Sequence, residues 1–130
     1  MEYYKKLVGD RIYLSPVAYT EEALDKFTGW TNMNKIVTIC GSMKFIDKMK
    51  EVATRLEIEN KYIVIQCVYT NDKLNEEEQQ ILSELHYKKI NISDAIYVVN
   101  VNGYIGSSTI KEIQYAKTLG KEIMYLEPIK

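Results

Sequence analysis

The sequence predicts an α/β protein: a doubly wound, flavodoxin- or Rossmann-like parallel sheet of four to five strands with helices on both faces, plus an amino-terminal strand–helix appendage. Three observations carry this expectation. Short, largely apolar runs at residues 36–40 (IVTIC), 62–66 (YIVIQ), 95–99 (AIYVV) and 122–126 (EIMYL) alternate with longer stretches of helical periodicity. The runs are apolar at successive positions, the pattern of strands covered on both faces. Turns rich in Gly and Ser follow the first and third runs, where a parallel sheet hands over from strand to helix.

Residues 1–34 differ from the remainder. RIYL at 11–14, followed by Ser15-Pro16, reads as a strand, and Thr20 can cap a helix with Leu24, Phe27 and Trp30 on one face. The α/β domain is expected over 35–130. Its first strand, 36–40, breaks at Gly41-Ser42 before a helix that carries Phe45, Ile46, Met49, Val52, Ala53 and Leu56 on one side. The second strand, 62–66, leads into a polar stretch through Thr70, Asn71 and Asp72, expected as a flap beside a site. A helix over 76–92 groups Ile81, Leu82, Leu85, Lys89 and Ile90, and the triple Glu76-Glu77-Glu78 suits its start. Asp94 should anchor the turn into the third strand, at the rim opposite any ligand. A last helix, with Ile110, Ile113, Ala116 and Leu119 at helical spacing, precedes the fourth strand.

Composition narrows the function. With 17 basic and 18 acidic residues and a net charge of −1, the chain of 130 residues lacks the bias of a binder of polymeric nucleic acid. Nothing in it has the length of a membrane span or the apolar core of a signal peptide, so a cytoplasmic location is expected. Cys40 and Cys67 fall in or beside buried strands without metal-ligand spacing. With a single His and scattered carboxylates, neither a metal site nor a cofactor is expected. Eleven tyrosines fit aromatic surfaces for a ring-shaped ligand or a subunit interface.

The densest chemistry lies between Asn100 and Lys121. Gly103 and Gly106 permit a sharp turn, Ser107, Ser108 and Thr109 bring hydroxyls, and the helix that starts there presents free N–H groups suited to an anionic or sugar ligand. Glu112 is expected in the first turn of this helix. It has two readings: a carboxylate facing the ligand, or the closing member of a Thr109-x-x-Glu112 capping box. The rule that ligands bind beyond the carboxyl ends of parallel strands brings the 40–44 loop (Gly41, Ser42, Met43, Lys44) to the same rim. Asn100 and Asn102 could hold a sugar edge, and Tyr104 could stack on a base.

Residues 35–127 resemble the nucleoside 2-deoxyribosyltransferase-like family and its nucleotide N-glycosidase relatives. The likeness rests on the Gly41-Ser42 turn, the Ser93-Asp94 pair before a strand, the Gly-rich turn, and Glu112, Ala116, Gly120 and Lys121 in that order. A second resemblance, to phosphoribohydrolases of the cytokinin-activating type, lies in Cys40-Gly41-Ser42 and in Gly-x-x-Thr-x-x-Glu from Gly106 to Glu112. GDRIYLSPV and ALDKFTGWTN in the amino-terminal segment resemble the opening strand and helix of Gcn5-related acetyltransferases. The pyrophosphate loop of that family has no counterpart here, so the segment is expected to cover a sheet edge or join subunits.

The first resemblance implies a transferase or hydrolase of the N-glycosidic bond in a nucleoside or nucleotide, with Glu112 as nucleophile and a homo-oligomeric assembly. His86 stands where the family has the Asp that serves the leaving base, and would act as acid or base-orienting group. Gly106 stands where the family usually has Asp or Ser. These two departures motivate a competing expectation, a non-catalytic nucleotide-binding or sensing module; a third is a structural protein whose Glu112 merely caps a helix.

Overall fold

A computed structural model of the chain describes residues 4–8, 11–15 and 34–129. The chain divides into two compact units, 1–34 and 35–130. In the first, β1 (Tyr4–Val8) and β2 (Arg11–Ser15) pair antiparallel, with Tyr4 opposite Ser15 and Val8 opposite Arg11. β2 covers the expected strand at 11–14. The helix expected after Thr20 lies outside the described residues.

The second unit runs β3 (Ile36–Gly41), a 3-10 turn at Met43–Phe45, α1 (Ile46–Asn60), β4 (Ile63–Ile65), α2 (Glu76–Ile92), β5 (Ala95–Val99), a further 3-10 turn at Val101–Gly103, α3 (Ser107–Thr118) and β6 (Glu122–Tyr125). Its four strands form one all-parallel sheet in the order β4-β3-β5-β6. This is the doubly wound α/β fold.

Burial on both faces explains the continuous apolar runs. Ile39 and Val99 pack against Met49, Val52, Ala53 and Leu56 of α1. Cys40, Ile96 and Val98, pointing the opposite way, pack against Ile90 of α2 and Ile113 and Ala116 of α3. A fully buried Ile such as Ile39 contributes about 2–3 kcal/mol by leaving water, so these two layers hold the sheet and fix the position of each strand end.

The helices differ from expectation in their rotation. α1 buries the anticipated face. In α2 the buried positions are His86 and Ile90, while Ile81 and Leu85 stand out with 47% and 45% exposure. One turn of register separates His86 from Ile90, and that line, not the Ile81–Leu85 line, meets the sheet. Asn75 starts α2 with a capping box: its side chain accepts from the Glu78 amide at 2.8 Å, and the Glu78 carboxylate accepts from the Asn75 amide at 3.1 Å. α3 buries Thr109, Ile113 and Ala116 and leaves Ile110 and Leu119 largely exposed.

The strand order positions the site. From β3 the chain crosses to β4 on one side and next to β5 on the other, so the loops leaving β3 and β5 diverge and open a crevice at the carboxyl ends. Asp94 lies at the opposite rim, where its carboxylate accepts from the Ile36 amide at 2.8 Å. Among the described residues no helix is long and apolar enough to cross a membrane.

Candidate active site

Three side chains from three elements converge behind the crevice. Cys40 comes from the end of β3, His86 from the middle of α2 and Glu112 from α3. His86 Nε2 is 3.5 Å from Cys40 Sγ and 3.5 Å from Glu112 Oε1. The convergence follows from the packing just described: β3 turns Cys40 toward the α2/α3 layer, and the helical rotations that bury His86 and Ile113 bring Glu112 inward.

α3 begins at Ser107 with Gly106 as its N-cap, and no acidic residue lies in its first turn. Glu112 therefore sits one turn further along than expected. Thr109 is an interior residue of the helix and not its cap, which removes the capping-box reading.

Burial governs the electrostatics of the cluster. It pushes the Glu112 carboxyl up to about 7, a hydrogen bond from the Cys40 thiol partly opposing the rise. Burial also pushes His86 down to about 4, with the positive charge of Lys89 adding to the effect. The Cys40 thiol is raised well above its ordinary value, first by burial and then by the Glu112 carboxylate. The His86–Glu112 contact has the geometry of an ion pair, yet these shifts leave the imidazole neutral wherever the carboxylate is charged. The contact is therefore a polar one between a neutral ring and a carboxyl. A neutral His86 retains one ring N–H as a donor and one ring nitrogen as an acceptor.

The pair opens on a cavity of about 790 Å³, within the range of small-molecule sites. Gly41, Ser42 and Met43 line it from the β3 loop, and Tyr104, Gly106, Ser107, Ser108 and Thr109 from the β5 loop and the start of α3. Cys67, Thr70 and Asp72 line it from the segment after β4, the expected flap; Leu82, Leu85 and Lys89 of α2 form a further wall. Apolar and polar side chains thus both line the space.

The two loops also touch. The Tyr104 ring meets the Phe45 ring edge-on at 5.9 Å, and Lys44 Nζ lies 4.2 Å above the Tyr104 ring. Lys44 is occupied by this contact and does not line the cavity. Gly41 is needed for packing: a Cβ there would come within 3.0 Å of Met49 Sδ and 3.3 Å of the Val99 carbonyl.

Asn100, Asn102 and Gly103 do not line the cavity either. Asn100 is buried and clasps the end of β6, donating to the Glu127 carbonyl at 2.9 Å and accepting from its amide at 2.8 Å. The Glu127 carboxylate in turn accepts from the Asn102 amide at 2.8 Å. Asn102 and Gly103 both adopt positive φ, 55° and 78°, the conformations that fold this turn. Their roles shape the loop instead of touching a ligand.

Sequence reasoning put Asp72 in a flap beside the site and Cys40 at the start of a rim loop, but named neither as a site residue, and gave Cys67 and Lys89 no place in a site. For Cys40 a signal existed, its position at the carboxyl end of a strand beside the strand-order reversal. Lys89, whose ammonium donates to the Gln66 carbonyl at 3.0 Å, carried none. Cys40, His86 and Glu112 also place a sulfur, a nitrogen and an oxygen within 4.8 Å of one another, a donor set able to hold a cation.

Fold and site together define a class: a doubly wound α/β domain with a buried carboxyl–imidazole–thiol cluster at its switch-point crevice. The chain matches no protein-family model and no curated protein.

Proposed function

We propose that this protein binds a nucleoside or nucleotide in the crevice and breaks its N-glycosidic bond, by transfer or hydrolysis, with Glu112 as nucleophile. One observation carries the reading: the Glu112 carboxyl, largely withdrawn from water and in contact with His86, lines a nucleoside-sized cavity together with the loops that leave β3 and β5.

The chemistry follows from that placement. An ionised Glu112 attacks the anomeric carbon, the bond to the base breaks through an oxocarbenium-like transition state, and a glycosyl-enzyme forms. Water or a second base then attacks the same carbon and returns the carboxylate, and the proton it loses neutralises the departed base anion. Burial leaves the carboxylate poorly solvated and so more nucleophilic once charged. His86, beside Glu112 in the cavity wall, orients the departing base, while Ser107 and Ser108 at the start of α3 offer hydroxyls and amides to sugar hydroxyls or a phosphate. Leu82 and Leu85 give the base an apolar wall, and Asp72 an acceptor for its exocyclic donors.

The test is a panel of ribo- and 2′-deoxyribonucleosides and their 5′-phosphates, with free base followed by chromatography. Base release by the wild type and its loss in Glu112→Gln, with the fold intact, supports the proposal. Thermal stabilisation by a nucleotide without base release would replace it with the sensing reading.

A further inference from the structure

We propose that Cys40, His86 and Glu112 form a site for a thiophilic divalent cation of the zinc class, open to the crevice at its fourth position. The inference stands on geometry. Tetrahedral zinc, with bonds of ~2.3 Å to sulfur and ~2.0 Å to nitrogen or oxygen, requires sulfur–nitrogen and sulfur–oxygen edges of about 3.5 Å and nitrogen–oxygen edges of about 3.3 Å. The observed Cys40–His86 and His86–Glu112 separations are both 3.5 Å. The remaining edge, from Cys40 Sγ to the Glu112 carboxylate, lies within 4.8 Å, and rotation of the carboxylate about its terminal torsion can shorten it.

The donors are fixed by separate elements, so their spacing is set before a cation arrives. Cys40 is held in β3 opposite Val98 of β5, His86 is anchored on the sheet-facing line of α2, and Glu112 is fixed by the packing of α3. His86 and Glu112 line the cavity and Cys40 lies behind them. A cation would therefore enter from the crevice with the thiolate at its back, leaving its open side toward the ligand space. Sulfur, imidazole and a single carboxylate favour zinc or cobalt over magnesium or calcium, which prefer oxygen donors. Binding replaces the thiol S–H by a sulfur–metal bond and releases that proton to solvent.

Occupancy also has a consequence for the reaction. The carboxylate lone pair that would attack the sugar becomes a metal ligand, so the cation and glycosyl transfer exclude each other at Glu112. This consequence rests on the proposed function; the cation site does not.

Cobalt(II) titration of the chelator-treated full chain tests the site directly. The expected result is saturation at one equivalent, with the visible absorption of tetrahedral cobalt and a near-ultraviolet thiolate-to-cobalt band. Cys40→Ser should lose that band, and Glu112→Gln should keep it while binding at least tenfold more weakly. No thiolate band in the wild type, or a band that survives in Cys40→Ser, would overturn the proposal. If Cys40→Ser does not fold, His86→Asn takes its place, with a loss of affinity of at least tenfold expected and unchanged affinity counting against the site. Zinc should suppress base release in proportion to occupancy. A protein that releases no base but shows the cobalt spectrum keeps the cation site and loses the glycosyl reading; the converse loses only the site.

Discussion

Replacing Glu112 by Gln should make the protein more stable at alkaline pH while abolishing its proposed chemistry. A carboxyl whose folded pKa lies above its ordinary value binds its proton more tightly in the folded state. Its contribution to stability is complete below about 4.5 and is lost as the pH rises through about 7. That interval of about 2.5 pH units, at ~1.4 kcal/mol per unit, sets an upper bound of roughly 3.5 kcal/mol, of which solvent screening of the partly exposed carboxyl leaves roughly 2–3 kcal/mol. His86 acts in the opposite sense: with its pKa lowered to about 4, its contribution is lost as the pH falls from 6.5 through 4. The two therefore offset each other across mildly acidic pH in the wild type. In the comparison of wild type with Glu112→Gln, His86 is common to both proteins. Urea denaturation at about pH 8.5 should show the variant more stable by roughly 2–3 kcal/mol, about 10 °C or more in melting temperature for a domain of this size, with the gap closing near pH 5. A variant no more stable than the wild type at pH 8.5, or a gap of equal size at both pH values, would refute the assignment of a carboxylate destabilised by burial.

Four further outcomes are expected. Base release should rise with pH through about 7, where Glu112 becomes charged, a limb read from the pH profile of kcat/KM. Lys89→Met removes a charge that opposes protonation of His86, so the imidazole should titrate at a higher pH in NMR spectra. Asn100→Ala strands the amide and carbonyl of Glu127 and should cost about 2–4 kcal/mol in denaturant unfolding. Gly41→Ala forces a methyl against Met49 and the Val99 carbonyl and should cost about 1–3 kcal/mol by the same measure.

The parallel sheet was legible because its strands are buried on both faces: residues 36–40 and 95–99 could hardly sit elsewhere. The face of α1 was legible for the same reason, its apolar positions being too many for a solvated helix. α2 was less so. Its exposed Ile81 and Leu85 outnumber the buried Ile90, and its inward polar residue, His86, breaks the apolar pattern that reveals a face. Its cap was readable as Asn75 followed three residues later by Glu78, a signal hidden among neighbouring glutamates.

At the site, the rim loops followed from the strand-end rule, which depends on topology alone. The environment of Glu112 did not follow from its own stretch of sequence. Thr109-x-x-Glu112 has the spacing of a cap, and only the start of α3 at Ser107 moves Glu112 clear of it. Asn100 misled in the opposite direction: an Asn beside a Gly-rich turn reads as a ligand contact, and its partner Glu127 is distant in sequence.

The most direct measurement concerns the bond between protein and sugar. A 2-fluoro-substituted nucleoside, which slows hydrolysis of a glycosyl-enzyme, is incubated with the protein, and the digested product is weighed by mass spectrometry. The peptide containing Glu112 should gain the mass of one fluorosugar, and the Glu112→Gln protein should gain none. Free base appearing with no labelled peptide, or a label on a different residue, would contradict attack by Glu112.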